Sequence, residues 1–228
     1  FKIAKYVRQH YPKVKLLLGG GYVNTELREM TDRRPYRYFD EFQLDEGYGN
    51  LLGVVGSRSR TKECRNSTVG LGLPTTTTIP AFVKPSYRGI DWNEYFDVVE
   101  TDNFVTNLWN SGKWVKLVMA RGCYWHKCAF CDVVLPYIGC FRMPKASDIV
   151  DAIEELSNSQ TFKHSNFHFV DEAMPPKVIK GMCEEIIRRK LKVEWWGNIR
   201  FDAAFTPALC RLMAKAGCIA VTGGLECA

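Results

Sequence analysis

Between residues 115 and 223, short apolar runs of strand length alternate with helix-length patterns, and this alternation limits the fold more than any other feature of the chain. The runs are VKLVM (115–119), NFHFV (166–170), VEWWG (193–197) and IAVTG (219–223). Between the later ones, apolar residues recur at helical spacing: Ile149, Val150, Ile153 and Leu156 after Ser147 as cap, then Ile179, Met182, Cys183, Ile186 and Ile187 after Pro175 and Pro176. The third helix is bounded at both ends. Thr206 caps it, Pro207 takes the first helical position, Leu209, Leu212, Met213 and Ala216 form its stripe, and Gly217 stops it. Strands joined through helices must run parallel, which predicts an α/β fold. Four such units are about half of an eight-stranded (β/α) barrel, which takes ~250 residues.

The residues before this region have another character. VKLLLGGGYVNTELREM (14–30) is an apolar run, three glycines and a candidate helix, the way a strand passes into a helix in an open α/β sheet. The glycines suit either a plain tight turn or a backbone that approaches a nucleotide or phosphate. From 57 to 90 the chain is rich in Gly, Ser, Thr and Pro and holds four consecutive threonines, a linker composition. The expected division is 1–56 as the end of an open α/β domain, 57–91 as linker and 92–228 as the N-terminal part of a barrel.

With 31 basic and 25 acidic residues the net charge is +6, and no dense basic run indicates nucleic acid. No stretch approaches the ~20 apolar residues of a membrane span, and FKIAKYVRQHYPK at the start lacks the apolar core of a secretory signal. A cytoplasmic protein without a membrane partner is expected. Nine cysteines, an odd number with three of them close together, favour reduced thiols and metal ligation over a disulfide framework.

Those three, Cys123, Cys128 and Cys131, lie in RGCYWHKCAFCD (121–132), directly after the first strand of the alternating region. Three soft thiolates suit zinc or an iron–sulfur cluster. Zinc would need a fourth ligand, for which His126 is available, but structural zinc sites usually draw a second ligand pair from further along the chain, and none follows. An iron–sulfur cluster generally takes four thiolates, so three would leave one iron open to chemistry. Cys140 is the nearest spare thiol and reads as a buried structural cysteine.

RGCYWHKCAFCD resembles the cluster loop of radical S-adenosylmethionine (SAM) enzymes, in particular the group in which a cobalamin-binding domain precedes the radical SAM domain. The resemblance continues in IPAFVKPSYRGIDWNEY, FHFVDEAMPP, WWGNIRFD and IAVTGGLECA, and covers most of the chain from about residue 79. It implies a partial TIM-like radical SAM barrel preceded by a fragment of a Rossmann-like, cobalamin-binding-type domain. Cys123, Cys128 and Cys131 would hold a 4Fe–4S cluster, SAM would chelate its free iron, and one electron from an external reductant would release a 5′-deoxyadenosyl radical that attacks substrate. Cobalamin would then support methylation of a small-molecule or macromolecular substrate that the residues do not name.

The same resemblance implies that Phe130 lies near the adenine, Arg200 meets the SAM carboxylate, Glu226 the ribose, and Asp171 with Glu172 stands near SAM or substrate. Positional reasoning agrees on the place: the cysteine loop, Asp171 and Glu172, Arg200 and Asp202, and Glu226 each follow a successive strand. Plain capping or pairing at strand ends is the ordinary alternative for each. The chain departs from the family in its four-residue gap between Cys123 and Cys128, where three is commoner, in the lack of a G-G-E motif after the second strand, and in the lack of the cobalt-binding D-x-H-x-x-G, which His10 does not match. Two other functions remain open: a methylthiotransferase-like radical SAM enzyme acting on RNA or protein, and a zinc-stabilised binding module without catalysis.

Overall fold

Residues 1–44, 82–91, 94, 114–131, 139–159 and 165–224 are described by the structure, a computed structural model. Expectations that fall on 45–81, on His164 and on Glu226 lie outside these residues. The chain divides into two units, Phe1–Ile79 with Lys127–Gly139, and Pro80–His126 with Cys140–Ala228. Both are α/β with parallel strands, as the alternation predicts.

The first unit contains α1 (Lys2–His10), β1 (Leu17–Gly19), α2 (Gly21–Asn24), a 3-10 turn at Arg34–Arg37 and β2 (Glu41–Gln43). β1 and β2 pair in parallel, with Leu18 opposite Phe42. Ala4, Val23, Phe39 and Phe42 form its buried centre. Arg8 fastens α1 to the strands by donating to the Tyr38 carbonyl at 3.0 Å and pairing with Asp40 at 2.5 Å. The amide of Leu16 donates to Asp40 Oδ2 at 2.7 Å; that bond first, and Arg8 second, hold the carboxyl below its usual range. The helix expected after the three glycines is one turn long.

The second unit contains β3 (Val115–Leu117), α3 (Ala146–Asn158), β4 (Asn166–Phe169), α4 (Pro176–Arg188), β5 (Glu194–Asn198), α5 (Pro207–Lys215) and β6 (Cys218–Thr222). The sheet order is β3-β4-β5-β6, all parallel. Side chains alternate along each strand. Val115, Phe167 and Trp195 therefore share one row and Leu117 and Phe169 the next, and both rows join Ile149, Ile153, Ile179, Met182, Ile186 and Met213 of the helices in one core. The indole N–H of Trp195 has an acceptor inside that core, the Ala216 carbonyl at 2.9 Å.

The helix boundaries follow local chemistry. Thr206 accepts the Leu209 amide at 3.3 Å, with Pro207 at the first helical position. Gly217 has φ 88, and a Cβ there would stand 1.9 Å from the Val193 carbonyl oxygen, so no other residue fits the turn into β6. The expectations for α3 and α4 need two corrections. Lys145 rather than Ser147 precedes α3, and no side chain caps it. In α4, Val178 is buried and Ile187 is exposed, because at 3.6 residues per turn Ile187 falls more than a quarter turn from the centre of the face made by Val178, Ile179, Met182, Cys183 and Ile186.

Residues 82–91, of linker composition, belong to the second unit. Phe82 and Tyr87 pack against its core, and the Tyr87 hydroxyl donates to the Lys116 carbonyl at 3.0 Å and accepts from the Lys116 amide at 3.2 Å. Among the described residues no helix is long and apolar enough to cross a membrane.

Candidate functional site

Parallel strands present their carboxyl ends on one edge, and the loops that leave them meet there. The loop after β3 starts at Met119 and Ala120, whose amides donate to Asp171 Oδ2 at 2.8 Å and Oδ1 at 2.6 Å. Asp171 follows β4 and is 3% exposed. Burial raises its carboxyl to about 6, against the pull of these two amides and with a further push from Glu172. Asn198, at the end of β5, donates through Nδ2 to the Asp171 carbonyl at 3.0 Å, and the Thr222 hydroxyl at the end of β6 donates to Asn198 Oδ1. The ends of all four strands are linked in this way.

The loop is then held along its length. Arg121 and Arg142 exchange backbone hydrogen bonds at 2.9 and 3.0 Å, and Gly122 turns the chain with φ 74. The Tyr124 hydroxyl donates to Asp202 Oδ2 at 3.0 Å; burial first, then this bond, raises its pKa well above the usual phenol range. The guanidinium carbon of Arg200 lies 3.5 Å from the centre of the Trp125 ring, a cation–π contact. Arg200 Nη1 is buried, stands 3.8 Å from Asp202 Oδ2, and has no hydrogen-bond acceptor among the described residues. Arg200 and Asp202 thus meet the Tyr-Trp pair that follows Cys123.

Cys123 is half-buried in the second unit, and the boundary between the units passes between His126 and Lys127. Cys128 and Cys131 are half-buried in the segment that falls in the first unit, where the Cys131 amide donates to the Cys128 carbonyl at 3.1 Å and Phe130 is 73% exposed. None of the three forms a disulfide, nor does Cys140, which is half-buried as well. Three reduced thiols are a donor set that fits a soft metal or an iron–sulfur cluster. Among the described residues, however, no group of three or more His, Cys, Asp or Glu side chains is placed to hold a metal ion. Glu172 is exposed beside Asp171, His126 is exposed with φ 33, and His10 stacks on Tyr6 within α1.

A second polar group occupies the sheet face opposite the core. Lys116, His168 and Trp196 stand in register on β3, β4 and β5. The His168 ring lies parallel to Trp196 with centroids 3.6 Å apart, and its Nδ1 is 2.6 Å from Lys116 Nζ. Burial first, and Lys116 second, push His168 down to about 4, so near neutral pH its uncharged ring accepts a hydrogen bond that the Lys116 ammonium donates. The period-two alternation of NFHFV and VEWWG already separates His168 and Trp196 from Phe167 and Trp195; the lysine's partner appears only once the strands are aligned.

Comparison with family models, curated proteins and solved structures returned no match to this chain.

Proposed function

We propose that the chain is part of a radical SAM enzyme in which Cys123, Cys128 and Cys131 hold a 4Fe–4S cluster and the strand-end groups of the second unit bind SAM. The observation that carries the reading is the fastening of the Cys123 segment to Asp171, Arg200 and Asp202 at the carboxyl ends of β4 and β5, where barrels of this kind bind ligands. The strand order supports a barrel. β3 to β6 lie in chain order with no reversal, whereas a doubly wound sheet reverses at its switch point.

A bound cluster would supply one electron for cleavage of the SAM sulfonium, drawn from a separate reductant. The chain's own part is to bind, orient and exclude water. Arg200, with a buried N–H that lacks an acceptor among the described residues, suits the SAM carboxylate. Asp171 spends both carboxylate oxygens on backbone amides and positions the loop, which leaves exposed Glu172 as the member of the acidic pair able to meet a ligand. Phe130 and Glu226 keep the adenine and ribose roles that the resemblance implies. Cobalamin-supported methylation is the specific chemistry that resemblance favours, and a reducing cytoplasm suits cysteines that form no disulfide.

Anaerobic reconstitution with iron and sulfide tests the reading. The expected product is brown, carries about four iron and four sulfide per chain, and cleaves SAM under reduction. Replacing any one of Cys123, Cys128 and Cys131 by Ala should abolish both. Stoichiometric zinc with no cluster after reconstitution would overturn it.

A further inference from the structure

A carboxylate beside a guanidinium ordinarily closes into a short, often bidentate pair. Asp202 does not. Its Oδ2 stops 3.8 Å from Arg200 Nη1 because it accepts the Tyr124 hydroxyl at 3.0 Å, and its Oδ1 accepts the Ala204 amide at 2.9 Å. Both oxygens are engaged away from the arginine. Arg200 also rests on the Trp125 ring, its guanidinium carbon 3.5 Å from the ring centre, a contact that needs none of its N–H groups. Its buried Nη1 is left without a hydrogen-bond acceptor among the described residues. An unsatisfied buried donor destabilises the empty state, and an incoming carboxylate removes that cost.

We propose that Tyr124 is a positioning residue that holds Asp202 away from Arg200 and so keeps the guanidinium, laid on Trp125, open to a ligand carboxylate. The inference rests on the proposed function for the ligand's name, the amino-acid end of SAM; the geometry by itself asks for a carboxylate. Without the Tyr124 hydroxyl, the remaining donor near Asp202 Oδ2 among the described residues is Arg200 Nη1 itself, and closure of that pair would block the site.

The test compares the wild-type chain with Tyr124→Phe, Asp202→Asn and the double variant, with folding followed by circular dichroism. Phenylglyoxal labelling of Arg200, read by peptide mass mapping, reports whether the guanidinium is free and needs no SAM. Tyr124→Phe should slow labelling about tenfold, the worth of one charge-assisted contact. The double variant should restore it, because an amide does not pair with arginine as a carboxylate does, and Asp202→Asn alone should label at least as fast as wild type. Wild-type labelling in Tyr124→Phe, slow labelling in the double variant, or slowed labelling in Asp202→Asn would each overturn the proposal.

Binding to the reconstituted protein supplies the second arm. Tyr124→Phe should weaken SAM about tenfold while leaving cluster absorbance, and affinity for 5′-methylthioadenosine, which lacks the carboxylate, unchanged. Equal weakening of both nucleosides would overturn the positioning role. If labelling behaves as stated but the wild-type protein binds neither nucleoside, the SAM reading falls and the carboxylate receptor stands.

Discussion

On the face of the β3–β6 sheet that packs against the helices, Val115, Phe167 and Trp195 stand in register; one residue further along, Lys116, His168 and Trp196 stand in register on the other face. The first row is stabilised by area. A buried aromatic removes roughly 150–250 Å² from water, and Phe167, Phe169 and Trp195 are wholly buried with an indole acceptor supplied. The second row depends on a particular chain of contacts, the lysine ammonium against an imidazole nitrogen and the imidazole ring stacked on the indole. The comparison teaches that neighbouring tryptophans can belong to two different economies of stability, one tolerant of shape and one dependent on pairing.

Substitution of the two tryptophans separates them most widely. Trp195→Ala should cost about 4 kcal/mol in urea unfolding, because a cavity opens between sheet and helices. Trp196→Ala should cost about 1 kcal/mol, with loss of the stack on His168 as its main effect. Similar losses at the two positions would refute the contrast.

Titration sharpens it next. Asp171 is raised from 3.8 to about 6, so between those values the folded chain keeps a proton that the unfolded chain has released, and stability from this group falls as pH rises through the window. His168 is pushed from 6.5 to about 4, so the unfolded chain takes the proton first, and stability from this group is lost as pH falls through its window. The two slopes oppose each other. Relative to wild type, Asp171→Asn should make stability climb more steeply from pH 4 to 6, by up to about 3 kcal/mol over the window, and His168→Gln should make it climb less. Unfolding free energies measured across that range decide between these signs.

The smallest effect concerns the cover of the apolar face. Thr206→Ala should cost about 1 kcal/mol through loss of the cap on α5, and should leave the pH slopes as they are. A change in those slopes would mean that the two faces are coupled through the helix.

Legibility followed the range of the interactions. The strands and the three helices of the second unit were visible because period two and period 3.6 are local, and the ends of α5 were visible because Thr206, Pro207 and Gly217 act within one turn. The start of α3 was not, since Ser147 offers capping chemistry that the chain does not use. The linker composition of 82–91 concealed Phe82 and Tyr87, two aromatic anchors whose role depends on a core far away in sequence. At the site, the cysteines and the succession of acidic and basic residues at strand ends were readable. The task of Asp171 was not, because two backbone amides 51 and 52 residues distant claim its oxygens.

What the sequence determined by itself was periodicity and chemical type: parallel α/β units, three soft thiols in nine residues, polar groups after each strand. What the tertiary structure decided was allegiance. Asp202 could pair with its near neighbour Arg200, and Tyr124, 78 residues away in the chain, takes it instead. The physical reason is that hydrogen bonds and ring contacts act over a few ångströms of space, so the choice among several chemically competent partners is made only when the strands have brought them to one edge.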